Sequence, residues 1–204
     1  MTFDHIRQLA ARFPLVLGSR SPRRVKLLAE IGIAFEQMVS TVDEQQRADE
    51  EAFAYAERLA REKALWVGSR CEPDRIVLGC DTVVVLGGRI MDKPMSKQEA
   101  LETLLALSGN THRVATAMAL VRGDKVLAAG HEKTTVVFND VTRQQVEEYI
   151  QTGEPMDKAG AYGIQGMGAF LVDRIEGNLD NVIGLPRNLL DDLAGAALTI
   201  CTEA

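Results

Sequence analysis

The sequence predicts a fold in which strands and helices intermix, of the α/β or α+β class. Three observations carry this. Short apolar runs such as Leu15-Val16-Leu17 read as buried strands. Amphipathic stretches opened by capping signals read as helices between them. No Ser/Pro-rich linker, low-complexity run or internal repeat splits the 204 residues.

Each element has its own local signal. Residues 2–12 place Ile6, Leu9 and Ala10 at helical spacing. The strand at Leu15 runs into Gly18-Ser19-Arg20-Ser21-Pro22-Arg23-Arg24, where Ser21 is a good N-cap and Pro22 suits the first helical position. Gly32 is expected to stop that helix. Ile33, Phe35, Gln37 and Val39 alternate as in a strand. Residues 49–67 read as a helix whose apolar stripe is interrupted by Lys63. Two strands are expected at 76–78 and 82–86, separated by Gly79-Cys80-Asp81, and Gly87-Gly88 marks a hairpin turn. Ser96-Lys97-Gln98-Glu99 and Thr142-Arg143-Gln144-Gln145 are capping boxes opening helices that end near Gly109 and Gly153. Between them, 111–121 and 125–138 read as strands. Residues 153–168 are Gly-rich without period, 169–172 read as a strand, and 185–193 as a closing helix.

Composition excludes several classes. Lys plus Arg number 23 and Asp plus Glu 29, a formal net charge of −6, so nothing draws the whole chain to nucleic acid or an anionic membrane. Cys71, Cys80 and Cys201 form no CxxC pair, and His5, His112 and His131 give no zinc spacing. No apolar window is long enough to span a membrane, and residues 1–14 lack the apolar core of a signal peptide. A cytoplasmic chain is the expectation. An anionic ligand would need locally clustered cations.

Four constellations can supply chemistry. Ser19, Ser21, Arg23 and Arg24 crowd a helix N-terminus, where free N–H groups and guanidinium forks suit a phosphate; a capped turn with solvated arginines is the plain alternative. Asp81 ends an apolar run, where a metal or a lysine would keep it ionised against the effect of burial; a turn-forming Asp is the alternative. Lys63, Lys93 and Lys158 stand in apolar or Gly/Pro contexts and can neutralise a polyphosphate, or can be ordinary surface lysines. The 153–166 segment has enough Gly and small residues for close backbone approach to a ligand, and Gln165 offers donor and acceptor to a base edge. There is no Walker-type phosphate loop, no acyl-transfer triad spacing and no dinucleotide GxGxxG.

Taken in order, Ser19-Arg20-Ser21-Pro22-Arg23-Arg24, Arg61-Glu62-Lys63-Ala64, Gly79-Cys80-Asp81-Thr82-Val83-Val84, Asp92-Lys93-Pro94, residues 157–166 and Asn181-Val182-Ile183-Gly184-Leu185-Pro186 resemble the Maf family of nucleotide pyrophosphatases. The resemblance runs from about Leu15 to Leu193. It implies an α/β fold with a central mixed, twisted sheet, flanking helices and two lobes around a cleft, related to inosine triphosphate pyrophosphatases. It also implies one Maf-like domain over 1–204, with 1–13 as an extra N-terminal segment. The implied activity is hydrolysis of a nucleoside triphosphate to its monophosphate and pyrophosphate, dependent on a divalent cation, Mg²⁺ or Mn²⁺. The unbroken Asp157-Lys158-Ala159-Gly160-Ala161-Tyr162-Gly163-Ile164-Gln165-Gly166 is similar to the subgroup acting on dTTP and UTP; the 7-methyl-GTP subgroup differs there.

The resemblance assigns the proton acceptor to Asp81 and substrate choice to Arg23, Thr82 and Gln165. The metal would rest on Asp81 and Glu44, a surface carboxylate being the plain alternative for Glu44, which follows Val42-Asp43. Ser19, Ser21, Arg24, Lys63, Lys93 and Lys158 would hold the triphosphate, converging on one cleft of an otherwise acidic chain. Family analogy alone suggests a homodimer. A 7-methyl-GTP-type pyrophosphatase, a nucleotide-binding regulator of septum formation without catalysis, and a phosphatase releasing orthophosphate are the rival readings.

Overall fold

In the computed structural model, residues 2–202 are described. The chain runs α1 (Asp4–Arg12), β1 (Leu15–Leu17), α2 (Pro22–Ala29), β2 (Phe35–Gln37), α3 (Ala52–Gly68), β3 (Ile76–Leu86), β4 (Arg89–Ile90), α4 (Lys97–Leu107), β5 (Thr111–Arg122), β6 (Lys125–Phe138), α5 (Arg143–Gln151), β7 (Val172–Glu176), α6 (Leu179–Ile183) and α7 (Arg187–Thr202). The strands form a mixed sheet in the order β2-β1-β3-β5-β6-β7, with β4 added to β3. β1 is parallel to β2 and β3, while β6 pairs antiparallel with β7. The fold is thus α/β, as expected. Among the described residues no helix is long and apolar enough to cross a membrane.

Two compact units divide the chain. The first comprises 1–81, 116–132 and 184–204. Its short central strand β1 is buried at every position, so both faces need cover. Val16, Val77, Ala119 and Val121 pack with Ala64 and Val67 of α3. The N-terminal segment is a working part of this core: Ile6 and Leu9 of α1 are fully buried, and α1 packs on α7. Asp191 of α7 accepts the otherwise orphaned Ile6 N–H at 2.9 Å. Gly195 lets α1 approach, since a Cβ there would stand 3.3 Å from the His5 ring.

The second unit comprises 82–115 and 133–183. Its core joins Val84, Leu101, Leu104, Leu107, Val136, Phe138, Val146 and Tyr149. α4 packs on α5, and α5 begins with a complete Thr142–Gln145 capping box. The box expected at α4 is only half made. Ser96 Oγ accepts the Glu99 N–H, but the Glu99 carboxylate turns to the Met95 N–H at 2.8 Å.

Three further expectations are corrected. The strands at 76–78 and 82–86 are one continuous strand, β3, because Gly79 serves packing and does not break the ladder. The stretch 169–172 is not a strand: Gly166–Leu171 is a 3-10 helix and the strand is β7. The Gly-rich segment also holds 3-10 turns at Glu154–Asp157 and Ala159–Ala161.

One buried group sets an acid limit. His112 is enclosed in the second unit, its Nε2 2.9 Å from the Tyr162 hydroxyl and its ring edge-on to Phe138 and Tyr162. Nδ1 has no hydrogen-bond partner among the described residues. Burial without an anion pushes the imidazolium pKa down from 6.5 to about 4. Between those values the unfolded chain binds a proton that the folded chain does not. Stability is therefore full above pH 6.5 and falls as the pH drops toward 4, by up to about 3 kcal/mol at ~1.4 kcal/mol per pKa unit. Urea unfolding at pH 7 and pH 4.5 should show this loss for the native chain and a much smaller one for His112→Gln.

Candidate active site

The first unit gathers a carboxylate–ammonium cluster from three segments. β3 carries Asp81 into the interior, where its residue is 7% exposed. α3 presents Lys63 from the middle of its buried stripe, also 7% exposed. Lys63 Nζ donates to Asp81 Oδ1 at 2.6 Å and stands 3.0 Å from Glu44 Oε1. Burial drives the Asp81 carboxyl above the usual carboxylate range, and the Lys63 ammonium and Arg24 guanidinium oppose that rise. Asp81 is thus a carboxylate with an enhanced appetite for a proton, the property a general base needs near neutral pH.

Glu44 lies in an irregular segment and is half exposed. Its backbone is pinned by α3. Tyr55 Oη donates to Glu44 O at 2.6 Å, and Arg58 Nη2 donates to Gln45 O at 3.0 Å. Arg58 also grips Glu50 through Nε and Nη2 at 2.6 and 2.7 Å, holding that carboxyl down to about 2. Nothing in the spacing of Tyr55 and Arg58 announces this task, because a hydroxyl or guanidinium on a helix face has no partner readable from sequence.

The basic turn follows the expected local chemistry and adds a constraint. Ser21 caps α2, its Oγ accepting the Arg24 N–H at 3.5 Å, and Pro22 occupies the first turn. Ser19 is buried; its Oγ accepts the Ser21 N–H at 3.3 Å and Arg24 Nη1 at 3.0 Å. Arg24 Nη1 also donates to Cys80 O at 3.0 Å, and Nε to Gly184 O at 2.9 Å. Arg24 therefore ties the turn to the strand bearing Asp81. Gln37 Nε2 supports the same turn by donating to Ser19 O at 2.6 Å. Arg23 is half-buried at the start of α2. Cys80 is fully buried with its thiol pushed up to about 11, so it is a neutral packing group and not a nucleophile.

The second unit carries the other predicted residues. Thr82 is half-buried in β3, directly after Asp81 in the chain. Lys93 is exposed in the loop between β4 and α4. Lys158 is turned into its own loop, donating to Glu154 O and Asp157 Oδ1, both at 2.6 Å. Gln165 is exposed at the tip of the Gly-rich segment. Asn181, part of the last motif, is fully buried and bonds Val114 O and Thr134 Oγ1 at 2.9 Å, so its task is to hold that unit together.

The donor set can be tested against a divalent cation. Asp81 and Glu44 offer carboxylate oxygens to one shared ammonium, and among the described residues no group of three or more His, Cys, Asp and Glu side chains could hold a metal ion. Two hard oxygen donors without soft ligands are the type that Mg²⁺ or Mn²⁺ takes.

Several known proteins are similar to this chain. The dTTP/UTP pyrophosphatase of Symbiobacterium thermophilum is 49% identical over 172 residues, 84% of this chain and 88% of that protein. Those of Salmonella typhimurium and Escherichia coli are 47% and 44% identical, each across 84% of this chain and 87% of theirs. Among solved structures, a HAM1 protein from Coxiella burnetii is 20% identical, covering 94% of this chain and 100% of that one, with a TM-score of 0.45. Residues 14–196 match the family described as Maf-like protein, a span that opens just before β1, includes Lys63 and Asp81 and ends inside α7. The chain belongs to the Maf family.

Proposed function

We propose that this chain is a nucleoside triphosphate pyrophosphatase that converts dTTP and UTP to the monophosphate and pyrophosphate. The observation that carries the reading is the buried Asp81–Lys63 pair with Glu44 beside it. The relatives named dTTP/UTP pyrophosphatase, 44–49% identical, support the reaction and the pyrimidine preference.

In this reading water attacks the α-phosphorus and Asp81 takes its proton. The elevated proton affinity of Asp81 favours that transfer, and Lys63 keeps the carboxylate ionised beforehand. Arg23, Lys63, Lys93, Lys158 and the positive end of the α2 dipole at Ser21 neutralise the triphosphate and the charge that develops on the leaving pyrophosphate. Arg24 and Ser19 act by fixing that turn. Thr82 and Gln165 meet the nucleoside, Gln165 through an amide that matches a pyrimidine's donor and acceptor edge. Asp81 and Glu44 would hold the divalent cation, which when bound screens phosphate charge and acidifies water.

A panel of nucleoside and deoxynucleoside triphosphates, with 7-methyl-GTP included, tests this. The expected result is turnover led by dTTP and UTP with pyrophosphate as product. Preference for 7-methyl-GTP would overturn the pyrimidine assignment. Release of orthophosphate, or binding without turnover, would overturn the reaction.

A further inference from the structure

The segment that carries Gln165 is held from beneath by a side-chain clamp. Glu154 opens the segment after Gly153, whose φ of 77° turns the chain out of α5. Its carboxylate folds back under the loop. Oε2 accepts the Met167 N–H at 3.0 Å, and Oε1 accepts the Gly168 N–H at 3.2 Å. Oε1 also accepts the Tyr149 hydroxyl at 2.9 Å, and the same hydroxyl accepts the Gly163 N–H at 3.1 Å. Both flanks of Gln165 are thus bound to one group: Gly163 on one side through Tyr149, and Met167 and Gly168 on the other directly.

The glycines fit this clamp. A Cβ on Gly163 or Gly166 would stand 3.0 Å from a Glu154 carboxylate oxygen, and Gly166 has a φ of +86° that side chains resist. A Cβ on Gly168 would stand 2.6 Å from the Tyr149 hydroxyl. Tyr149 is itself fixed, buried in the core at 3% exposure with Phe170 edge-on to its ring. A carboxylate receiving several donors is a strong anchor, since bonds to a charged acceptor outweigh neutral ones. Gln165 meanwhile is exposed, so nothing rigid holds it except the backbone on either side.

We propose that Glu154 and Tyr149 are positioning residues for base selection, setting where the Gln165 amide stands while touching no substrate themselves. This rests on the reading of Gln165 as the group that meets the pyrimidine. Glu154→Gln keeps the side-chain shape but replaces one acceptor by a donor. Tyr149→Phe keeps the packing on Phe170 and removes the hydroxyl relay.

The experiment compares kcat/KM for dTTP with that for dCTP in the native chain, Glu154→Gln, Tyr149→Phe, Gln165→Ala and the double variant Glu154→Gln/Gln165→Ala. Each single variant is expected to lower the dTTP preference about tenfold, a loss of about 1.4 kcal/mol, mainly through KM for dTTP with kcat little changed. The double variant should be no less selective than Gln165→Ala alone, because the clamp acts only through Gln165. If Gln165→Ala lowers the preference and both clamp variants keep it, the clamp is overturned and the Gln165 reading stands. If Gln165→Ala itself keeps the preference, the Gln165 reading falls and the clamp with it. If the double variant loses the sum of both single effects, Glu154 acts independently of Gln165 and the proposal is overturned.

Discussion

Asp81→Asn is expected to lower kcat for dTTP by about a thousandfold, within the range of a lost general base. The amide matches the carboxylate in shape, so β3 should pack unchanged. In the proposed reaction what is lost is the proton acceptor, a carboxyl whose proton affinity burial raises, and one of the two oxygen donors suited to a divalent cation. Lys63 retains Glu44 at 3.0 Å, so its charge is not stranded. Removing one member of a buried pair without such a substitute would cost more. Pyrophosphate release at saturating dTTP measures the effect, and circular dichroism checks the fold. A variant within tenfold of the native chain would remove Asp81 from the chemistry.

Gly79→Ala is expected to destabilise the first unit by about 3 kcal/mol, at the upper end of overpacking costs. A Cβ at Gly79 would overlap Ala60 O, Ala64 N and Ala64 Cβ, all of them on α3 and two of them backbone atoms that no rotamer change can move. The strand can accept the methyl only if α3 backs away from β3. Those two elements carry Lys63 and Asp81, so their 2.6 Å contact should lengthen and activity should fall with stability. For a chain of this size the melting temperature should drop by about 10 °C. Gly130→Ala is the control: its Cβ meets only Leu189 and Leu193 side chains at 3.7 Å, an ordinary contact, and its melting temperature should stay within a few degrees of the native value.

Gly79 also shows where sequence reading stops. In a one-dimensional pattern a glycine between two apolar runs looks like a break, so the sequence predicts two strands where β3 is one. Only the α3 backbone explains why that position must lack a side chain. The closing helix is another case: the sequence predicts 185–193, yet α7 runs from Arg187 to Thr202, and Gly195 inside it leaves space that the His5 ring of α1 fills. The 3-10 turns between Glu154 and Leu171 leave no apolar period to detect.

The candidate site divides along the same line. Lys63 was legible because a charge interrupts an apolar stripe, and Asp81 because a carboxylate ends an apolar run; both prove buried and paired. The Ser21 cap was legible from local rules that act over three residues. The supports were not. Tyr55 under Glu44, Gln37 on Ser19 and Glu154 under the Gln165 loop act across 11, 18 and 13–14 residues respectively, through geometry that no local period encodes. The sequence offers Arg24 as a phosphate ligand because it stands in a basic cluster at a helix N-terminus. The fold engages its Nε and Nη1 on Gly184 O, Cys80 O and Ser19 Oγ, which makes it a frame for the turn as well.

In the proposed reaction water, deprotonated by Asp81, attacks the α-phosphorus of a pyrimidine triphosphate. Turnover of dTTP in ¹⁸O-water with Mg²⁺, followed by mass spectrometry of the products, tests it most directly. The expected result is one ¹⁸O in dTMP and none in pyrophosphate. Label in pyrophosphate, or in orthophosphate released beside dTDP, would contradict it.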